Sequence, residues 1–152
     1  LVLCLPNNSA NSVMVRHLWL GAIASSFLLS AHTVNIDRQA GVAGTWHIEP
    51  DHNPKVNQPT RVWVALTTRG GAPLPLSNLQ CRMAVFALPR RSADASIQQY
   101  PVKPVNAEKW TNIPGADVVF PKAGRYQLQL DCTGRGTNPI RPFRLTYDTT
   151  AR

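Results

Sequence analysis

The sequence predicts an all-β fold: two sheets packed face to face, a sandwich of about seven strands. Three observations predict it. Short stretches alternate apolar and polar residues with a period of two, which is how a strand with one buried side reads. The 13 prolines and 9 glycines of this 152-residue chain fall between those stretches and punctuate them with turns. Hydrophobic residues make up 43% of the chain and charged residues 16%, enough apolar material for one packed core.

The strands follow in order. "TVNI" (33–36) is a short first strand. In "VAGTWHIE" (42–49) Trp46 and Ile48 share one face, and His47 and Glu49 share the other, toward solvent. "TRVWVALT" (60–67) sets Val62, Val64 and Leu66 together ahead of the turn "RGGAP". "QCRMAVFAL" (80–88) places Cys81, Met83 and Val85 opposite Arg82. "DVVF" (117–120) leads through "PKAG" into "GRYQLQLDC" (124–132), where Tyr126, Leu128, Leu130 and Cys132 alternate with Gln127, Gln129 and Asp131. "PFRLTYD" (142–148) closes the set with Phe143, Leu145 and Tyr147 on one face. "PLPLSNL" (73–79) is a proline-rich connection. Residues 89–115 carry Pro89, Pro101, Pro104 and Pro114, so they are expected as irregular surface loop, with room for a short helix near 92–99. Tyr100 and Trp110 in that segment are expected to cover the open end of the core or to meet a partner.

Ahead of the sandwich, residues 14–31 read "MVRHLWLGAIASSFLLSA". Arg16 and His17 precede an apolar run from Leu18 to Leu29, and Ser30 and Ala31 follow it: the pattern of a cleaved signal peptide. A run of about 12 residues is short of the about 20 needed to cross a bilayer. Residues 1–13, "LVLCLPNNSANSV", are expected to be an upstream segment outside the mature domain, and Cys4 to go with them. The domain itself is expected over 32–152, exported to a bacterial periplasm or a cyanobacterial lumen, with no membrane span after cleavage. That leaves two cysteines, Cys81 and Cys132, in neither metal-binding nor redox spacing. An even pair in an exported chain most often forms a disulfide, and both sit on inward faces, so a bridge across the middle of the two-sheet core is expected.

The chain carries 16 Lys+Arg against 8 Asp+Glu, a formal charge of +8. The basic residues are scattered, Arg90 and Arg91 being the one adjacent pair, so no nucleic-acid footprint is concentrated anywhere. Nucleotide-binding loops, serine elbows and zinc-protease motifs are absent, and the sequence points to no enzyme. The most chemical stretch is "TWHIEPDHNP" (45–54). His47 and Glu49 project together from a strand, His52 and Asp51 follow in the turn, and cleavage after Ala31 would add the imidazole and α-amino group of His32. Imidazole nitrogens with an amine or carboxylate suit copper(II), so His32, His47, Glu49 and His52 form the candidate metal set. The ordinary reading stands beside it: an outward His/Glu pair on a half-exposed strand, then a turn in which Asp51 and Asn53 cap the backbone and no cofactor is bound.

From about 42 to 148 the pattern resembles a known family. "NPKVNQPTRVWVAL", a glycine turn, a strand starting at Cys81 and the closing "FPKAGRYQLQL" are similar to immunoglobulin-like periplasmic domains of the YtkA-like type. The chain also resembles uncharacterised exported cyanobacterial proteins with close versions of "HIEP-x-x-NP" and "IPGA". With no catalytic motif, a non-enzymatic binding or accessory role beside another envelope protein is expected, and the resemblance implies an immunoglobulin-like sandwich. Since some relatives handle copper through His and Met, it implies copper binding as the alternative. Met83, the one methionine of the mature chain, is buried by alternation.

Overall fold

The alternating stretches become strands because each has one face to bury. The computed structural model describes residues 33–137 and 139–152. The upstream segment, the signal-like segment 14–31 and His32 lie outside the described residues. Nine strands are formed there: β1 (Val34–Asp37), β2 (Val42–Ile48), β3 (Pro59–Thr68), β4 (Leu79–Ala87), β5 (Gln98–Pro101), β6 (Lys103–Ala107), β7 (Trp110–Val119), β8 (Gly124–Gly134) and β9 (Phe143–Ala151). Sheet 1 has the order β1-β2-β3-β7-β6 and sheet 2 the order β5-β4-β8-β9. All strand pairs are antiparallel. The predicted two-sheet sandwich is therefore present, and no helix among the described residues is long and apolar enough to cross a membrane.

The core lies between the inner faces. Trp46, Ile48, Val62, Val64 and Leu66 of sheet 1 share one cluster with Met83, Val85, Leu128, Leu130 and Leu145 of sheet 2. Trp46 is fully buried and stacks on Tyr147, with ring centroids 5.9 Å apart. Tyr126 tilts against Phe120 at 5.0 Å, and its hydroxyl donates to the Lys122 carbonyl, so "PKAGRY" is a turn pinned by its own tyrosine. Sheet 2 comes close at Gly44, where a Cβ would stand 2.4 Å from the Leu145 Cδ1. A side chain there would have to push the end of Leu145 aside.

Two expectations are corrected. The first is the segment 89–115, which is not an irregular loop and holds no helix near 92–99: β5, β6 and most of β7 lie in it. Its prolines are tolerated because none occupies a donor position the ladders need. Pro101 and Pro104 sit on edge strands. Pro104 stands directly opposite Pro114, and the β3–β7 pairing stops one residue earlier, at Trp63 opposite Gly115. Proline content marks where N–H groups are missing, and a ladder can be built around those gaps.

The second correction concerns the disulfide. Cys81 and Cys132 are bonded, but within sheet 2 rather than across the core. They are direct partners in the β4–β8 ladder, with Cα atoms 4.2 Å apart. Alternation reveals the face a residue takes and says nothing about which sheet its partner is in. Inward residues in register on neighbouring strands lie at about 4.5–5.5 Å, whereas facing sheets are about 10 Å apart.

Candidate functional surface

The two outer faces of the sandwich differ in character. Sheet 2 presents a polar network. Arg90 lies 3.6 Å over the Phe86 ring and donates to Gln127 and Gln129, while Arg144 donates to Asp131 and Gln127 to Asp148. Sheet 1 carries a second apolar cluster on its outer face: Trp63, Ala65 and Ile113, with Val105, Ala107 and Trp110 against them.

Register builds that face row by row. His47 is opposite Trp63, and Trp63 opposite Gly115. Thr45 is opposite both Val34 and Ala65, and Ala43 opposite both Ile36 and Thr67. The β6–β7 hairpin covers one half. Gly115 makes this possible, because a Cβ there would meet the Val105 Cγ2 at 2.4 Å. The other half, around β1, stays open: Val34 is 53% and Ile36 63% exposed.

The predicted metal residues fall in and beside the covered half. His47 does point outward, as alternation requires, but it does not meet solvent. It is 8% exposed, and its ring lies flat on the Trp63 indole with centroids 3.7 Å apart. Glu108, at the tip of the hairpin, brings a carboxylate oxygen to 4.0 Å from the His47 Nδ1. Glu49 turns its carboxylate to Trp63, accepting from the indole N–H at 3.0 Å, with Arg61 at 3.8 Å. His52, in the turn after β2, has a left-handed backbone and brings its Nδ1 to 3.5 Å from the Tyr147 hydroxyl. Its ring is 5.8 Å from that of His47. Asp51 does cap the turn, accepting from the Asn53 N–H.

The structure thus brings two imidazoles and Glu108 into one neighbourhood and engages Glu49 elsewhere. Among the described residues no group of three or more His, Cys, Asp or Glu side chains could hold a metal ion. The described donors do not by themselves fit a preformed copper centre. Met83 is fully buried in the core, where no external ion reaches it.

Several residues of this face escape the alternation argument. "VWVAL" carried a usable signal, because an unbroken apolar run marks a strand covered on both faces. "IPGA" carried a weaker one of the same kind. Glu108 carried none, since a hairpin turn alone brings it to His47. Tyr100 packs against the main core, and its hydroxyl bonds both the carbonyl and the N–H of Val119, tying sheet 2 to sheet 1. Trp110 covers the outer cluster of sheet 1 instead of the open end of the core.

Asp117 borders the covered half and gives it a pH signature. The ammonium of Lys103 beside it holds its carboxyl below the usual 3.8, with Arg61 adding to the effect against the cost of burial. A depressed folded-state value means that its contribution is complete above the unfolded value and is lost as pH falls through the folded one. Carboxyl titration by NMR is expected to place Asp117 below 3.8, and Lys103→Met to return it toward that value. A carboxyl that titrates identically in the two proteins removes Lys103 as the cause.

In class, then, the chain is a disulfide-linked, antiparallel two-sheet sandwich with one sealed and one open outer half-face. Its fold is shared by FetP from uropathogenic Escherichia coli strain F11, crystallised "as isolated" after recombinant expression in the periplasm of E. coli BL21(DE3). That structure is 13% identical, covers 79% of this chain and 93% of its own, and gives a TM-score of 0.51. A copper-bound variant of the same FetP gives 0.54 at 11% identity, over 79% of this chain and 94% of that one. A DUF4426 family protein from Pseudomonas aeruginosa PAO1 gives 0.50 at 8% identity, over 78% and 93%. At these identities the likeness is one of fold. No protein-family model matches the chain, and no curated protein matches it.

Proposed function

We infer that the chain is an exported, non-enzymatic binding or accessory domain of the bacterial envelope. The observation that carries this reading is the uneven covering of sheet 1: the hairpin closes one half of its outer face and leaves the apolar β1 half open to a partner. The disulfide supports export, since such bonds persist in oxidising compartments. The signal-like pattern of residues 14–31 and the likeness to YtkA-like and cyanobacterial exported domains belong to the same reading, with the periplasm as the compartment. Catalysis has no part in it, because the chemical-looking side chains are engaged in holding the fold. Glu49 holds Trp63, and Asp117 holds Lys103.

One observation favours copper binding as a second reading: the His47 and His52 rings stand 5.8 Å apart beside Glu108. A similar fold has been solved with copper in a FetP variant. Here His32 would have to supply the further donors.

One experiment separates the two. The processed chain is titrated with copper and, in parallel, used to capture partners from an envelope extract. The accessory reading expects a specific envelope partner, with the His47→Ala/His52→Ala variant binding copper no more weakly than the parent. Copper binding that is lost in that variant, together with an empty capture, overturns the reading in favour of copper.

A further inference from the structure

We propose that the groove beside the β1–β2 turn, on the open half of sheet 1, docks an acidic, apolar-flanked peptide segment of another protein. The proposal rests on the accessory-domain reading and names the surface and the chemistry of the partner. The groove encloses about 460 Å³, with Ile36, Ala43 and Thr67 among the lining residues, next to Thr68 and the Gly70–Gly71 turn. Arg38 and Arg69 also line it, and no acidic residue does.

Charge decides the partner's sign. Neither arginine has an ion pair among the described residues. All 8 side-chain carboxylates of the chain are engaged elsewhere. Asp37 caps its own turn, Asp51 the turn after β2, and Glu49 accepts from Trp63. Asp94 and Glu108 face Arg91 and His47. Asp117, Asp131 and Asp148 face Lys103, Arg144 and Arg125. The anion that complements Arg38 and Arg69 therefore comes from outside the chain. A net charge of +8 favours its approach and disfavours a second copy of the same chain.

The lining decides between a peptide and a lipid. An acyl chain suits an unbroken apolar trough. Here the apolar strip of Ile36 and Ala43 continues in the same cross-strand row into the hydroxyl of Thr67, and the two arginines and the positive-φ glycines Gly41, Gly70 and Gly71 border it. That mixture of apolar floor and convergent hydrogen-bonding groups matches an extended peptide, whose backbone needs partners while its side chains need cover.

The test uses the isotopically labelled intact chain and three probes: a short synthetic peptide of alternating leucine and aspartate, its leucine–lysine counterpart, and decanoate. The acidic peptide is expected to shift the amide signals of Ile36, Ala43, Thr67 and Gly71 saturably, and more weakly as salt is raised. The lysine peptide leaves them in place. Arg38→Glu/Arg69→Glu weakens binding on the order of tenfold, as reversal of two rim charges should. Ile36→Ser weakens it through the apolar floor with both arginines intact. All three positions are exposed, so the variants keep the fold, which their spectra verify. Equal response to both peptides, shifts confined to another face, or filling of the groove by decanoate alone overturns the proposal. An envelope partner still captured by the charge-reversed variant overturns the groove while leaving the accessory-domain reading intact.

Discussion

Trp63→Ala is expected to lower the unfolding free energy by about 3–5 kcal/mol, as for a large aromatic removed from a packed site. Trp63 is 2% exposed although it lies on an outer face. One ring plane covers His47, the indole N–H bonds Glu49, and the residue belongs to the cluster under the β6–β7 hairpin. The loss should also be local in its consequences. Hydrogen exchange is expected to accelerate across Lys103–Ile113, with the β4–β8 ladder nearly unchanged until global unfolding. Chemical denaturation gives the magnitude, and exchange gives the location. A change below about 1 kcal/mol, the centre of ordinary substitutions, would show that the hairpin holds without this ring.

The second large effect belongs to the disulfide. Removing it as Cys81→Ala/Cys132→Ala releases a constraint between residues 51 apart in sequence. The chain-entropy relation places the loss at about 4 kcal/mol for a loop of that size. Because the bond joins partners inside a nine-pair ladder, the register from Leu79–Gly134 to Ala87–Tyr126 is expected to survive the substitution. The double variant should fold to the same amide spectrum and unfold at lower urea. A spectrum without the β4–β8 cross-strand signals would mean that the bond, rather than the hydrophobic pattern, sets the register.

Both effects turn on features that local pattern describes only in part. Alternation placed Trp46, Ile48, Leu128 and Leu130 in the core and Gln127 and Asp131 outside it, and those positions hold. For the candidate surface the same logic went halfway. It put His47 and Glu49 on one outer face but could not tell that this face is covered. Whether an outward residue meets water depends on what folds over it. The cover here is a hairpin from a proline-bearing segment some 60 residues later in the chain, where strand signals are weak.

Local periodicity by itself determined the strands of 33–67, 80–88 and 117–148, the face each residue takes and the inward side of both cysteines. A strand's two faces are set by backbone geometry alone, so no knowledge of neighbours is needed. Tertiary structure alone decided which strands are neighbours. It put the disulfide within one sheet, raised β6–β7 over Trp63, brought Glu108 to His47 and set Arg38 and Arg69 in the lining of an open groove beside the β1–β2 turn. Those are long-range pairings, and their stability comes from surfaces that meet only after the chain has folded.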